Sequence, residues 1–291
     1  MTIIDLNALE IFSAVVSEGS VSKAAVKLNR VQSNISTRIK QLEEQLNKKL
    51  FHRHNRKLTL TADGELLLTY ADKLITLSLE ASEALSEDTP KGVFRIGAME
   101  STAAARLPEL LRKYNAAYPN VQIELVTDTA GGLIQRLKKS EIEVAFVAEP
   151  IFGEDLQTQA VFEEELVLIV PSSFSKVSKF KDLDGKPLIA FEQGCAYRRY
   201  LESWLFDEAV VPGSIFSVSS YLAIFACVAA GTGFAVAPKS VLDIVDTSSQ
   251  FQQIPMPNQL SHIKTMLVNR KGYGSKKLDS LKEFLPNFTT T

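Results

Sequence analysis

Apolar positions in the first eighty residues repeat with the period of a helix. Leu6, Leu9, Phe12, Ala14 and Val16 share one broad face, and the pattern stops at Gly19, as in an amphipathic helix ended by glycine. Ser20 is a cap for a second, short helix that buries Ala24, Ala25 and Leu28. A third stretch, VQSNISTRIKQLEEQL over 31–46, sets Val31, Ile35, Ile39, Leu42 and Leu46 at spacings of 4, 4, 3 and 4. Residues 50–60 then alternate bases with Leu50, Phe51, Leu58 and Leu60, which suits a short two-stranded wing. From Thr61, a helix cap, Leu66, Tyr70, Leu74, Leu77, Ala81 and Ala84 recur at 4, 4, 3, 4 and 3. So long a stripe between two domains predicts pairing with a second such helix rather than packing on its own domain.

Beyond the linker SEDTPKG, residues 86–92, the pattern changes. Short β-rich runs such as VFRIGA, VQIELVT, VAFVAE, ELVLIVP and PLIAF alternate with helical segments such as STAAARLPELLRKYNAAY, GGLIQRLKKS and AYRRYLESWLFDEA. Alternation of this kind predicts a parallel-type α/β sheet, whose ligands sit beyond the C-terminal ends of the strands. The predicted fold is α+β and multidomain. Residues 1–60 read as a winged helix-turn-helix, 61–91 as a linker and dimerisation helix with a hinge, and 92–291 as an α/β domain.

Charge changes the picture more than composition does. The 291 residues carry a net charge of −2. Residues 21–60, however, hold ten bases against two acids, a net of +8, while the rest holds 22 bases against 32 acids. A basic block on an acidic body is the footprint of a polyanion partner. The start MTIIDLNALE carries an acid and no base, so it does not read as a secretory signal. The longest apolar run, LAIFACVAA, is too short to cross a bilayer. Two cysteines imply no disulfide framework. The expectation is a cytoplasmic protein with no membrane partner.

The third helix has no acid on its first two outward turns. With Ile35 inward, Ser33, Ser36, Thr37 and Lys40 face out, Asn34 and Gln41 flank them, and Gln32 stands at the N-terminus. Amides and bases read base edges, and hydroxyls suit bases or phosphates. Double-stranded DNA is therefore the predicted partner. Ser22, Lys23, Arg30, Gln32, Ser33, Asn34, Ser36, Thr37, Arg38 and Lys40 would lie at the helices, and Arg53 and Arg56 in the wing.

Signals for enzyme chemistry are weak, and no catalytic residue, metal or cofactor is predicted. His52 and His54 lie in the wing and His262 stands alone, without metal-ligand spacing. AGTGFAVAP lacks the rest of a dinucleotide fingerprint.

The stretches LNALEIFSAVVSEGSVSKAAVKLNRVQSNISTRIKQLEEQLNKKLFHRHNRKLTLTADGE, PNVQIELVT and VAAGTGFAVAP resemble the LysR-type transcriptional regulators along the whole chain. The resemblance implies a winged helix-turn-helix and a linker helix that pairs in a homodimer. It further implies association to a homotetramer, a near-palindromic promoter site and RNA polymerase as a candidate partner. It implies that 92–291 is an effector domain like periplasmic binding proteins, with subdomain I at about 92–165 and 268–291 and subdomain II at about 166–267, and that a small effector sits between the two and changes their angle. Two positions depart from the family: Ser33 stands where proline is usual, and Thr37 where arginine is frequent, with Arg38 next. GAMESTAAARLP and FEQGCAYRRYLESWL resemble a subgroup that includes regulators of putrescine and polyamine handling.

The effector residues expected at strand ends are Glu100, Ser101, Thr102, Thr129, Glu149, Gln193, Cys195, Tyr197, Arg198 and Tyr221. Carboxylates with aromatic faces suit an organic cation such as a diamine or polyamine. The helix start at Ser101 and Thr102, with Arg198 and Arg199, suits a small organic acid instead. Cys195, at a helix start beside Arg198, is expected to have a lowered pKa. That opens a third reading, a thiol-based redox sensor of the same fold, with Cys227 lying 32 positions away in an apolar run. A solute-binding or enzymatic α/β domain with a basic accessory domain is the remaining alternative.

Overall fold

The computed structural model describes residues 3–54, 57–85, 89–174, 177, 179–245, 250–257 and 261–286. The chain divides into two compact units, Met1–Glu87 and Asp88–Thr291.

In the first unit, helix α1 (Leu6–Glu18) starts where Asp5 accepts the Asn7 N–H, and it ends at Gly19 with φ of 61°. Helices α2 (Val21–Lys27) and α3 (Gln32–Leu46) pack on it, followed by strands β1 (Phe51–His54) and β2 (Lys57–Leu60). The strands pair antiparallel from Phe51↔Leu60 to His54↔Lys57 and form the expected wing. Leu9, Ile11, Phe12, Val15, Ala24, Ile35, Ile39 and Leu42 make the core.

Two details correct the pattern. Ile11 and Val15 are buried, while Leu6 stays exposed. Val31 is no member of the stripe. It holds the N-cap position of α3 with extended backbone and no capping side chain, and it is 67% exposed. The turn before α3 lifts Val31 off the face that Ile35 and Ile39 share.

Glu43 is the buried acid of α3. Its carboxylate accepts the backbone N–H of Leu50 at 2.8 Å and of Phe51 at 3.4 Å, and the Lys49 ammonium at 3.1 Å. It thereby ties the wing to α3. Burial alone would raise this carboxyl, but those donors outweigh it and hold its pKa below the ordinary value.

Thr61 then starts α4 (Ala62–Ala84): its hydroxyl accepts the Gly64 N–H at 3.0 Å and donates to the Lys49 carbonyl. Gly64 must be glycine, because a Cβ there would stand 2.3 Å from the Leu50 carbonyl oxygen. On α4, Ala71 is buried in the core with Leu67, Leu68 and Ile75 partly covered beside it. Leu66, Tyr70, Leu74, Leu77 and Ala81 are exposed. The side chain of Ala84, the last position of the predicted seam, lies outside the described residues.

In the second unit, the described strands are β3 (Gly92–Ala98), β4 (Val121–Thr127), β5 (Val144–Ala148), β6 (Leu156–Pro171), β7 (Pro187–Phe191), β8 (Ser214–Val218), β9 (Ala235–Pro238), β10 (Phe251–Pro255) and β11 (His262–Arg270). Seven of them form one sheet in the order β10-β6-β11-β5-β3-β4, with β9 also on β6. β3 is parallel to β4 and β5, and β7 to β8, as the alternation predicts. The other strand pairs of this unit are antiparallel, so the sheet is mixed.

The reason is β6. Its first part, Leu156–Glu165, pairs with β11, and its last part, Leu166–Pro171, pairs with β9 and β10. One long strand thus serves two α/β subdomains. One core holds Phe94, Ile96, Tyr114, Phe146 and Leu278, another holds Ile169, Ile189, Phe225 and Phe251, and a third joins residues of both halves. No described helix is long and apolar enough to cross a membrane.

Candidate functional site

The first unit carries a polar face. On α3, Gln32, Ser33, Asn34, Ser36, Thr37, Arg38 and Lys40 are all exposed, as are Ser22 and Lys23 on α2 and Arg30 in the turn between them. Ile35 and Ile39 bury the opposite side, so the helical period alone brings these groups together. The Ser22 hydroxyl donates to the Gln32 side-chain oxygen at 3.1 Å, leaving the Gln32 amide nitrogen as a donor. Arg30 donates to the Asn7 side chain at 2.8 Å. Lys40 lies 3.6 Å from Glu44, an exposed pair of little energy. The Arg53 side chain and Arg56 lie outside the described residues.

The second unit contains a cavity of about 350 Å³ at the C-terminal ends of its parallel strands. Met99, Glu100 and Ser101 enter from the end of β3, and Thr127, Asp128, Thr129 and Ala130 from the end of β4. Phe191, Glu192, Cys195 and Tyr197 follow β7, and Ser219 and Tyr221 follow β8. Helices α5 (Glu100–Ala105), α6 (Leu107–Ala117), α7 (Ala130–Lys138), α8 (Ala196–Asp207) and α9 (Tyr221–Ala229) come after these strands. Thr129 caps α7 by accepting the Gly132 N–H, and Ser220 caps α9 through the Ala223 N–H. Asp128 accepts its neighbour's N–H at 2.7 Å and the Arg136 guanidinium at 3.0 Å.

Glu100 receives the Tyr221 backbone N–H on both carboxylate oxygens, at 3.2 and 3.3 Å. Burial raises its pKa, and that N–H only partly counters the rise. Phe191 and Tyr221 meet edge to face at 4.8 Å. Tyr197 is buried, with its hydroxyl among those of Ser101 and Thr265. Burial pushes its pKa up, the Glu164 charge adds to the rise, and hydrogen bonding with the Ser101 and Thr265 hydroxyls pulls the other way.

Glu100, Ser101, Thr129, Cys195, Tyr197 and Tyr221 therefore meet in one cavity, as the strand-end reading expects. Thr102, Glu149, Gln193 and Arg198 do not line it. Thr102 is fully buried. The Glu149 carboxylate accepts the Lys264 N–H at 3.1 Å, and its carbonyl accepts the Tyr200 hydroxyl. Gln193 is exposed in a turn. The Arg198 guanidinium is occupied by the Phe191 carbonyl at 2.8 Å, Ser217 at 3.3 Å and Glu202 at 2.7 Å. It positions the segment that carries Phe191.

The expected low pKa of Cys195 is also corrected: burial raises it, against the Arg198 and Tyr197 N–H groups and the Arg198 and Arg199 charges. Asp128, Phe191, Glu192 and Ser219 escaped the sequence reading. Their signal was position, one to four residues before a capping residue. Among the described residues no His, Cys, Asp and Glu cluster could hold a metal.

A winged helix-turn-helix followed by a two-subdomain ligand-binding domain defines a class of regulators, and comparison with known proteins places the chain within it. Residues 6–65 match the bacterial regulatory helix-turn-helix protein, lysR family, and residues 87–288 match the LysR substrate binding domain. The chain belongs to the LysR family of DNA-binding transcriptional regulators. It is 37% identical to the regulator GltR of Bacillus subtilis over 92% of this chain and 90% of that one. Identity to YofA of Bacillus velezensis is 42%, over 89% of this chain and 90% of that one. Among solved structures, full-length CbnR bound to its target DNA superposes with a TM-score of 0.68 at 22% identity, covering 97% of this chain and 99% of that one. A full-length OxyR variant of Pseudomonas aeruginosa gives 0.75 at 19% identity, covering 100% of both chains. These two likenesses carry the fold.

Proposed function

We propose that this regulator acts as a homodimer on a near-palindromic promoter site, and that a small amine in the cavity of the second unit controls it. The observation that carries the effector class is the cavity lining. It holds the carboxylates of Glu100 and Glu192, the Arg136-paired Asp128 and three aromatic rings, with no lysine or arginine among the described residues that line it. Such a lining favours an organic cation and opposes a small organic acid. Putrescine is one diamine of this class.

The DNA reading rests on the exposed α3 face, with Gln32, Ser33, Asn34, Ser36 and Thr37 toward base edges and Ser22, Lys23, Arg30, Arg38 and Lys40 toward phosphates. Arg53 and Arg56 keep their wing role by sequence alone. Pairing through α4 rests on its uncovered stripe, and tetramer formation and polymerase contact on family membership. The subdomain division at about 165 is supported by the change of partners along β6, and the boundaries at 60 and 91 rest on the sequence pattern. We read the chain as a cytoplasmic protein without catalysis.

The test is a thermal-shift screen of the full chain against diamines, monoamines, dicarboxylates and aromatic acids. Amines should raise the melting temperature, and Glu100→Gln should remove most of that rise. A rise with acids alone would sink the amine reading. Affinity for amines should strengthen as pH rises through the raised Glu100 pKa, because the ionised carboxylate is the form that pairs with an ammonium.

The thiol-sensor reading has Cys195 in the same cavity and an OxyR-like fold behind it. The buried thiol is held protonated, which opposes it. Cys195→Ser should leave operator binding insensitive to peroxide, as in the unaltered chain. A peroxide response that disappears in Cys195→Ser would establish the sensor instead.

A further inference from the structure

The polar face of the first unit holds one side chain that polar chemistry leaves unused. Residues 29–34 are exposed throughout, and Val31 is the apolar one among them, at 67%. The Arg30 guanidinium before it donates to Asn7 on α1 at 2.8 Å, and the Gln32 side chain after it accepts from Ser22 on α2 at 3.1 Å. The Val31 carbonyl accepts the Asn34 and Ile35 N–H groups at 3.0 and 3.4 Å. The backbone here is therefore well tied, and a β-branched side chain has few rotamers to choose from.

A single exposed valine is ordinary on a protein surface. The position makes this one informative. Ser, Thr, Asp or Asn is favoured there, because its side chain would accept a backbone N–H, and Val31 makes no such bond. Nor does it pack into the core of the unit. Neither capping nor packing accounts for a valine. The partner of this face does. The first residues of a recognition helix meet base edges in the major groove. In that groove only thymine presents an apolar group, its C5-methyl, and every other feature is a donor or an acceptor. The amides and hydroxyls of Gln32, Ser33, Asn34 and Ser36 suit the polar edges, and the valine methyls suit thymine.

We propose that Val31 is a specificity residue, whose methyls pack on the C5-methyl of one thymine in each half-site, beside the base that Gln32 reads. This rests on the reading of α3 as the base-reading helix and adds a contact of a different kind to it. The helix does without a capping side chain where that side chain would displace the contact.

The test uses the full chain and a duplex that the chain itself enriches from a random pool. Each thymine is replaced in turn by uracil, which removes the C5-methyl and keeps every hydrogen-bonding group. One replacement per half-site should weaken binding about threefold to fivefold, the scale of one methyl group returned to water. Val31→Ala and Val31→Ser should bind the thymine duplex as weakly as the unaltered chain binds the uracil one, and should no longer tell the two apart. Val31→Ser should do so while unfolding at higher urea, so a weakened fold is not the cause. Gln32→Ala should weaken binding to both duplexes and keep the difference between them. Indifference of the unaltered chain to every uracil replacement would overturn the proposal, as would a methyl preference that survives in Val31→Ala. In either case a loss in Gln32→Ala leaves the α3 reading standing. No loss in Gln32→Ala, or no sequence enriched from the pool, would overturn both.

Discussion

Glu43 is the residue on which the wing depends. It is buried at 5% exposure, and three donors converge on it from Lys49, Leu50 and Phe51. Glu43→Gln should destabilise the first unit by about 1–3 kcal/mol, because two backbone N–H groups lose a charged acceptor. Its pKa is lowered in the folded chain, so its stabilisation is complete above the ordinary value of 4.5 and fades as pH falls through the lowered one. The difference in melting temperature between the two chains should therefore be large near neutrality and shrink in acid. A difference independent of pH would mean that lost packing, not charge, is the cause. Val31 gives the opposite case. It occupies an N-cap with no cap hydrogen bond, and Val31→Ser should add about 0.5–2 kcal/mol of stability. Urea unfolding would show it as a higher midpoint. Apolar spacing could not have separated Val31 from Ile35, because backbone conformation, not periodicity, decides where a helix begins.

At the scale of elements, α3 and α4 were the most legible parts, because each keeps one strict period over many turns. The exposed seam of α4, with Leu77 at 60%, is the surface such a period predicts when its partner is another chain. Leu74→Glu would place a charge in the middle of that seam and should turn a dimer into a monomer in sedimentation equilibrium; a dimer that persists would move the pairing to another element. On α3, Gln32→Ala should cost about 1–3 kcal/mol on the specific duplex and little on random sequence. Lys23→Ala should weaken both alike and flatten the salt dependence. Equal losses for Gln32→Ala on both duplexes would assign Gln32 to phosphate. The strand β6 was only half legible. Its ELVLIVP end is buried and reads as a strand, but its first residues carry exposed polar side chains that a one-sided strand shares with a loop. The cavity lining was hidden for a related reason: Asp128, Phe191 and Ser219 follow three different strands, and only the sheet order brings those ends together.

On the scale of the whole effector domain, the two halves share β6, and Glu164 stands two residues before Leu166, where its partners change. Arg106 reaches it from the junction of α5 and α6 in the first half, and Ser240 reaches it from helix α10 (Lys239–Leu242) in the second. The same α5 begins at Glu100 and Ser101 in the cavity. A ligand that moves the start of α5 therefore pulls on a buried ion pair at its end. A carboxylate with 1% side-chain exposure that holds both halves is a discrete contact, kept or lost, rather than a continuously deformable one. Glu164→Ala should cost about 1–3 kcal/mol, since it takes the acceptor from Arg106, which stays one third exposed and keeps the Glu163 carbonyl, and from the Ser240 hydroxyl, and Glu164→Gln should recover part of that. The informative readout is linkage. If the pair is made in the ligand-bound arrangement, Glu164→Gln should weaken effector binding although it lies outside the cavity lining, and should reduce the effect of effector on operator affinity by a similar factor. Unchanged effector affinity in a folded Glu164→Gln chain would show that the pair only stabilises, and that the halves move without consulting it.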